Sequence, residues 1–100
     1  MSRSSFYDQT LADELKDKEF AKEFILGLME DEDGMSLVQA LKHTIRKAGV
    51  KEFSKMTGIP EKSISRMLNS DLVPKIETLD EYLAPFGLKT KLSVDDIEAA

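Results

Sequence analysis

Apolar residues recur along this chain mostly at three- and four-residue spacing, which predicts helices rather than sheets. The clearest run begins at Asp17, an N-cap residue, and extends to about Glu30. Within it Phe20, Ala21, Phe24, Ile25, Leu28 and Met29 form two interleaved rows at four-residue steps, the broad stripe of a helix with one buried face. The acidic run Glu30 to Asp33 followed by Gly34 ends it. Upstream, Thr10 can cap a short helix starting at Leu11, with Asp13 three residues on, and residues 1–9 read as a loosely docked arm. Downstream, Ser36 caps a helix that turns Leu37, Ala40, Leu41, Ile45 and Ala48 inward. Gly49, able to take a left-handed cap at low cost, closes it.

Residues 50–69, VKEFSKMTGIPEKSISRMLN, carry the pattern on which the functional reading turns. Val50, Phe53 and Met56 make a stripe at three-residue spacing, Gly58 breaks it, and Pro60 suits the first position of a new helix, where its missing N–H has no partner anyway. In that second helix Ile64, Met67 and Leu68 fall on one side and Lys62, Ser65, Arg66 and Asn69 on the other. A two-helix turn with one glycine occurs in any helical bundle, so the spacing has to carry the reading. Phe53 five before the glycine, Ile59 directly after it and Ile64 five beyond that lock two helices at a fixed angle. Ser54, four before the glycine, is small enough for close contact. Such a pair, with a donor-rich second helix, describes a helix-turn-helix that lays its second helix in the DNA major groove.

The remainder reads as a loop over 70–74, then a capping box at Thr78-Leu79-Asp80-Glu81 that opens a last helix with Leu79, Tyr82, Leu83 and Phe86 inward. Pro85 stops or distorts that helix near Ala84. After Gly87, residues 88–94 alternate apolar and polar strictly, so Leu88, Thr90, Leu92 and Val94 are expected on a half-buried strand. One strand cannot satisfy its own ladder, and the expected pairing is with a twin chain or a partner's sheet edge. Residues 95–100 read as a tail.

Composition narrows the classes. One hundred residues build one domain, and 41% apolar content is ordinary for a globular chain. Without cysteine there is no disulfide framework and no thiolate metal site. No run approaches the roughly 20 apolar residues of a membrane span, and the start MSRSSFYDQT lacks the apolar core of a signal peptide, so a cytoplasmic protein is expected. The net charge of −5 argues against a nucleic-acid binder until its distribution is read. Residues 1–33 hold ten acids and four bases, residues 34–75 three acids and eight bases, and residues 76–100 six acids and two bases. Net positive charge is confined to residues 34–75, the segment that holds the proposed helix-turn-helix. No nucleophile elbow, calcium loop or glycine-rich phosphate loop occurs. The lone His43 sits mid-helix among bases, where a solvated or packing role fits better than catalysis. A non-enzyme without metal or cofactor is expected.

Several stretches resemble the lambda-repressor-like helix-turn-helix family, and within it the antitoxins of HigA type and related addiction-module antidotes. Leu15-Lys16-Asp17-Lys18-Glu19-Phe20-Ala21 is similar to the stretch opening the first long helix in that group, with Lys18 where proline is frequent. Gln39-Ala40-Leu41 through Ala48-Gly49 resembles the helix leading into the motif, Thr57-Gly58-Ile59 its turn, and Pro74 with Thr78-Leu79 and Phe86-Gly87-Leu88 its closing segment. The resemblance implies an all-α bundle of five to six helices, residues 36–86 forming the DNA-binding part and residues 1–33 an acidic arm, plus the short C-terminal strand. It also implies a small basic RelE/HigB-like toxin as partner, which cleaves ribosome-associated messenger RNA, and a homodimer that represses its own operator.

On this reading Lys62, Ser65, Arg66 and Asn69 meet base edges, since Arg matches guanine and Asn adenine bidentately, and Ser63 reaches a base or backbone oxygen. Lys51, Lys55 and Lys75 neutralise phosphates. Glu19, Glu23, Phe20, Phe24 and Leu28 are the candidate toxin-facing residues. Two other readings use the same residues: a stand-alone phage-type regulator whose acidic helix only completes the core, and a protein-interaction inhibitor that keeps the fold without binding DNA.

Overall fold

The structure, a computed structural model, describes residues 3–30, 34–92 and 94. Among these, six helices follow one another: α1 (Arg3–Glu14), α2 (Lys18–Met29), α3 (Leu37–Ala48), α4 (Val50–Thr57), α5 (Glu61–Asn69) and α6 (Ile76–Leu83), the last running into a 3₁₀ turn over Ala84–Phe86. None is long and apolar enough to cross a membrane.

Local chemistry sets most boundaries. The Asp17 carboxylate accepts the Glu19 N–H at 2.9 Å and starts α2. Ser36 and Gln39 exchange side-chain and backbone bonds at 3.2 Å, a full capping box at the head of α3. The chain returning from α2 is pinned by the Met35 N–H, which donates to the Leu28 carbonyl at 2.8 Å. Gly34 is required there: a Cβ at this position would press into the carbonyls of Met29 and Glu30.

Helix α3 is the centre. Helices α1 and α2 pack on one part of it and α4 on another, and α2 also meets the closing 3₁₀ turn, so the first helices and the closing turn join one core. Leu15, Ile25, Leu41, Ile45, Phe53 and Ile64 have no exposed surface. Burying each such side chain is worth about 1.5–3 kcal/mol. Phe53 stacks on Tyr82 at 6.1 Å and tilts against Phe86 at 5.8 Å, which holds α4 to the C-terminal elements. The buried Thr44 hydroxyl donates to the Ala40 carbonyl at 2.8 Å, and no buried side-chain polar atom among the described residues lacks a partner.

Four expectations change. The arm over 1–9 is helical from Arg3, and Thr10 lies inside α1 rather than capping it. Residues 3–14 contain neither Gly nor Pro, so a helix docked through Leu11 propagates backwards unhindered. Thr78 likewise sits inside α6, which starts at Ile76 with Lys75 as N-cap and no side-chain cap bond. Pro60 is the N-cap of α5 rather than its first residue, with φ −60° and ψ 141°. Finally, no strand is present among the described residues. Residues 88–92 run irregularly, and two of their donors are taken within the chain: Leu88 N–H bonds the Leu83 carbonyl at 3.2 Å and Thr90 N–H the Asp80 carboxylate at 2.7 Å. Ser93 and the tail 95–100 lie outside the described residues. Pro85 does stop α6, whose last turn tightens to 3₁₀.

Candidate nucleic-acid interface

The turn between α4 and α5 is clamped by two hydroxyls. Gly58 adopts φ 80°, ψ 1°, the left-handed region that favours glycine, and its N–H reaches the Ser54 carbonyl at 2.8 Å. The Ser54 hydroxyl donates across the turn to the Ile59 carbonyl at 2.6 Å. Thr57 accepts the Ile59 N–H at 3.2 Å and donates to the Phe53 carbonyl at 2.9 Å. Ser54 is therefore more than a small residue tolerated at a close contact; it ties the end of α4 to the start of α5. At the other end the Lys42 ammonium donates to the Ser70 carbonyl at 2.8 Å, joining α3 to the C-terminus of α5, where a cation also suits the helix dipole.

Held at both ends, α5 buries Ile64 and Met67, half-buries Leu68, and turns its other side outward. Lys62, Ser63, Arg66 and Asn69 are exposed and Ser65 is half-buried. Residues 62, 65, 66 and 69 follow the i, i+3, i+4, i+7 spacing of one helix face. Lys51 and Lys55, four apart on α4, are exposed, as is Lys75 at the head of α6. Among the described residues none of Lys51, Lys55, Lys62, Arg66 and Lys75 is within ion-pair distance of a carboxylate. Ser63, Arg66 and Lys75 share the wall of an open groove of about 580 Å³ beside α5. Glu61, in the first turn of α5, complements the helix dipole and is the one acid on this helix.

The candidate partner residues on α2 divide. Glu19 and Glu23 are exposed, Glu19 lying 3.8 Å from Lys22. Phe20, Phe24 and Leu28 are half-buried against the core. Phe20 stacks on Phe24 at 6.3 Å and Phe24 on His43 at 6.2 Å, which gives His43 its packing role. The exposed apolar side chains of α2 are Leu26 and Met29. Leu26 falls on the polar side of the helical stripe, the signal that could have marked it. The expected strand residues also divide: Leu88 and Thr90 are half-buried, while Leu92 and Val94 are exposed. The hydrogen bond from Thr90 holds the Asp80 carboxyl below the usual carboxylate range. Burial pushes the Tyr82 phenol up, with the Glu81 charge adding to the effect.

No group of three or more His, Cys, Asp or Glu that could hold a metal ion occurs among the described residues. The model of a family described as probable addiction module antidote protein matches residues 2–94 of the chain. Neither a curated protein nor a solved structure matches it.

Proposed function

The chain belongs to the addiction module antidote family, and from that premise we propose that it neutralises a small basic RelE/HigB-like toxin and represses its own operon through α5. In this reading α4, the Gly58 turn and α5 are a lambda-repressor-like helix-turn-helix of the HigA kind. Lys62, Ser65, Arg66 and Asn69 meet base edges, Ser63 reaches a base or backbone oxygen, and Lys51, Lys55 and Lys75 meet phosphates. The observation that carries it is the outward face of α5, donor-rich, mostly exposed and, among the described residues, without a carboxylate partner, on a helix fixed at both ends. An unpaired basic face keeps its positive potential for an anion.

Toxin neutralisation is supported by the family and by charge. Glu19 and Glu23 stand exposed on α2 and would steer a basic protein and compete with RNA for its site. Phe20, Phe24 and Leu28 enter such a contact only through their uncovered edges. Their packing against the core favours a second reading, a stand-alone phage-type regulator in which α2 completes the bundle.

Co-expression with the adjacent open reading frame, followed by size-exclusion chromatography, separates the two. A stable complex with a small basic chain that stops growth when expressed alone is expected. A homodimer without such a partner favours the stand-alone regulator. For the DNA surface, Arg66→Ala is expected to cost about 1–3 kcal/mol at one base pair of the chain's own upstream DNA. Lys55→Ala is expected to weaken all sequences alike and to lower the salt slope by about one. Anisotropy titrations at several salt concentrations read both, and unchanged selectivity in Arg66→Ala would remove the base-contact assignment.

A further inference from the structure

A groove of about 300 Å³ lies between α1 and α2 and shares no residue with the basic face of α5. Thr10, Leu11 and Glu14 of α1 form one wall, Phe20 and Phe24 of α2 the other. The aromatic wall is braced: Phe20 stacks on Phe24 at 6.3 Å, and Phe24 on His43 of α3 at 6.2 Å. The α1 wall is held by Leu15, which has no exposed surface and donates its N–H to the Leu11 carbonyl at 2.9 Å. Leu11 and both rings are half-buried, so each keeps apolar surface open to the groove. Glu14 is exposed. Two carboxylates close to it in the chain are already engaged, Asp13 at 3.5 Å from Lys16 and Glu19 at 3.8 Å from Lys22. Glu14 is in no ion pair among the described residues, so the one acid on the wall keeps its charge for a ligand.

We propose that this groove receives an arginine side chain of a protein partner, its stem on Phe20 and Phe24 and its guanidinium on Glu14. The walls call for a ligand that is apolar along its length and cationic at its end. Arginine has this form, with methylenes that pack on apolar surface beneath a charged head. Its planar guanidinium packs on aromatic rings and offers a carboxylate two parallel N–H donors, which a lysine ammonium does not. An apolar side chain seated there would cover the Glu14 carboxylate without giving it a donor, at a cost in free energy. A nucleic acid would bring phosphate against that carboxylate. The surroundings also suit a basic protein: residues 1–33 hold ten acids and four bases, a field that draws cations in. Because the rings are already stacked in the single chain, little ordering cost opposes binding. Phe20 and Phe24 thereby serve core and partner at once, one part of each ring packing inward and another lining the groove. The inference rests on the neutralisation reading for the source of the arginine, whereas the groove belongs to the chain alone.

NMR titration of the full chain with N-acetyl-arginine amide tests the site without the partner. Saturable shifts are expected at the Leu11 and Glu14 amides and at the Phe20 and Phe24 rings. N-acetyl-citrulline amide, of the same shape without the charge, should give none, and N-acetyl-lysine amide should bind more weakly. Glu14→Gln is expected to weaken arginine binding by a factor of about five, the upper range for one exposed ion pair. Its far-UV circular dichroism should be unchanged because the residue is exposed. Glu23→Gln, exposed on α2 but outside the groove, should leave binding intact. Shifts that are absent, equal with the citrulline or lysine compound, or unaltered in Glu14→Gln overturn the proposal. Co-expression with the adjacent open reading frame then reads the partner, whose complex should be weakened more by Glu14→Arg than by Glu23→Arg. Equal weakening would show that the partner does not use the groove. Glu14-dependent arginine binding by a chain that captures no basic partner supports this site and sinks only the neutralisation reading.

Discussion

Helices α2 and α5 follow the same design and end with different surfaces. Each buries short rows of apolar residues in the common core, Ala21 and Ile25 from α2, Ile64 and Met67 from α5. On α2 the apolar stripe is wide enough that two phenylalanines remain half-covered at its border, and the polar face carries Glu19 and Glu23 beside Lys18 and Lys22. On α5 the stripe is narrow, and the outward face is short-chained and basic. The net charge of −5 is the sum of a basic segment over residues 34–75 and acidic segments on either side of it, each able to attract what the other repels. For a small protein with two proposed partners, a separation of charge in space matters more than its total.

The comparison breaks most sharply if α2 proves to be a detachable arm. Ile25→Ala is expected to cost about 2–5 kcal/mol of folding stability, the range for a fully buried aliphatic truncated to alanine. Denaturant unfolding reads this, and a midpoint that does not move would mean that α2 is not part of the cooperative core. Glycine then sharpens the contrast, because the same substitution has opposite signs in the two regions. Neither Gly58 nor Gly27 has an atom within 4 Å of where a Cβ would stand. Gly58 has φ 80°, however, and Gly58→Ala is expected to cost about 1–2 kcal/mol by forcing an L-residue into the left-handed region ahead of α5. Gly27 lies in ordinary helix on the open side of α2, and Gly27→Ala is expected to stabilise by about 0.5–1 kcal/mol. Paired thermal melts of these two variants are the measurement, and equal signs would contradict the backbone geometry.

The smallest effect concerns the segment following both helices. Ionised Asp80 accepts the Thr90 N–H, which lowers its folded pKa below the ordinary value. Its contribution is thus fully present above the ordinary carboxylate pKa and is lost as pH falls through the lower, folded one. The Thr90 amide resonance should follow that titration and lose its pH dependence in Asp80→Asn. A Thr90 amide that titrates identically in the variant would show that the bond does not form in solution.

Much of the helical organisation was legible in the chain because it depends on neighbours in sequence. The caps at Asp17 and Ser36, the stops at Gly34 and Pro85, and the turn at Gly58 all act within about four residues. The outward stripe of α5 follows from helical spacing alone, so Lys62, Arg66 and Asn69 emerge exposed as the sequence predicts. Where local signals were ambiguous, they misplaced the starts of α1 and α6. Thr10 and Thr78 look like caps, but a hydroxyl caps only if the helix begins there, and docking against the core extends both helices past them.

What only the tertiary structure decided are the questions of which surface stays uncovered. Periodicity marked Phe20, Phe24 and Leu28 as one stripe, yet whether a stripe faces core or solvent depends on what packs over it; here α1 and α3 half-cover it. Alternation over 88–94 predicts a strand, but a strand exists only with a second one beside it, and the chain satisfies Leu88 and Thr90 through Leu83 and Asp80 instead. The exposed Leu72 and Val73 have no periodic signature at all, because a loop has no repeating geometry from which a face could be read. Sequence alone determined most of the helices and the distribution of charge along the chain, since both are properties of consecutive residues. Which faces meet each other and which remain free is a property of distant residues brought together, and only the folded chain settles it.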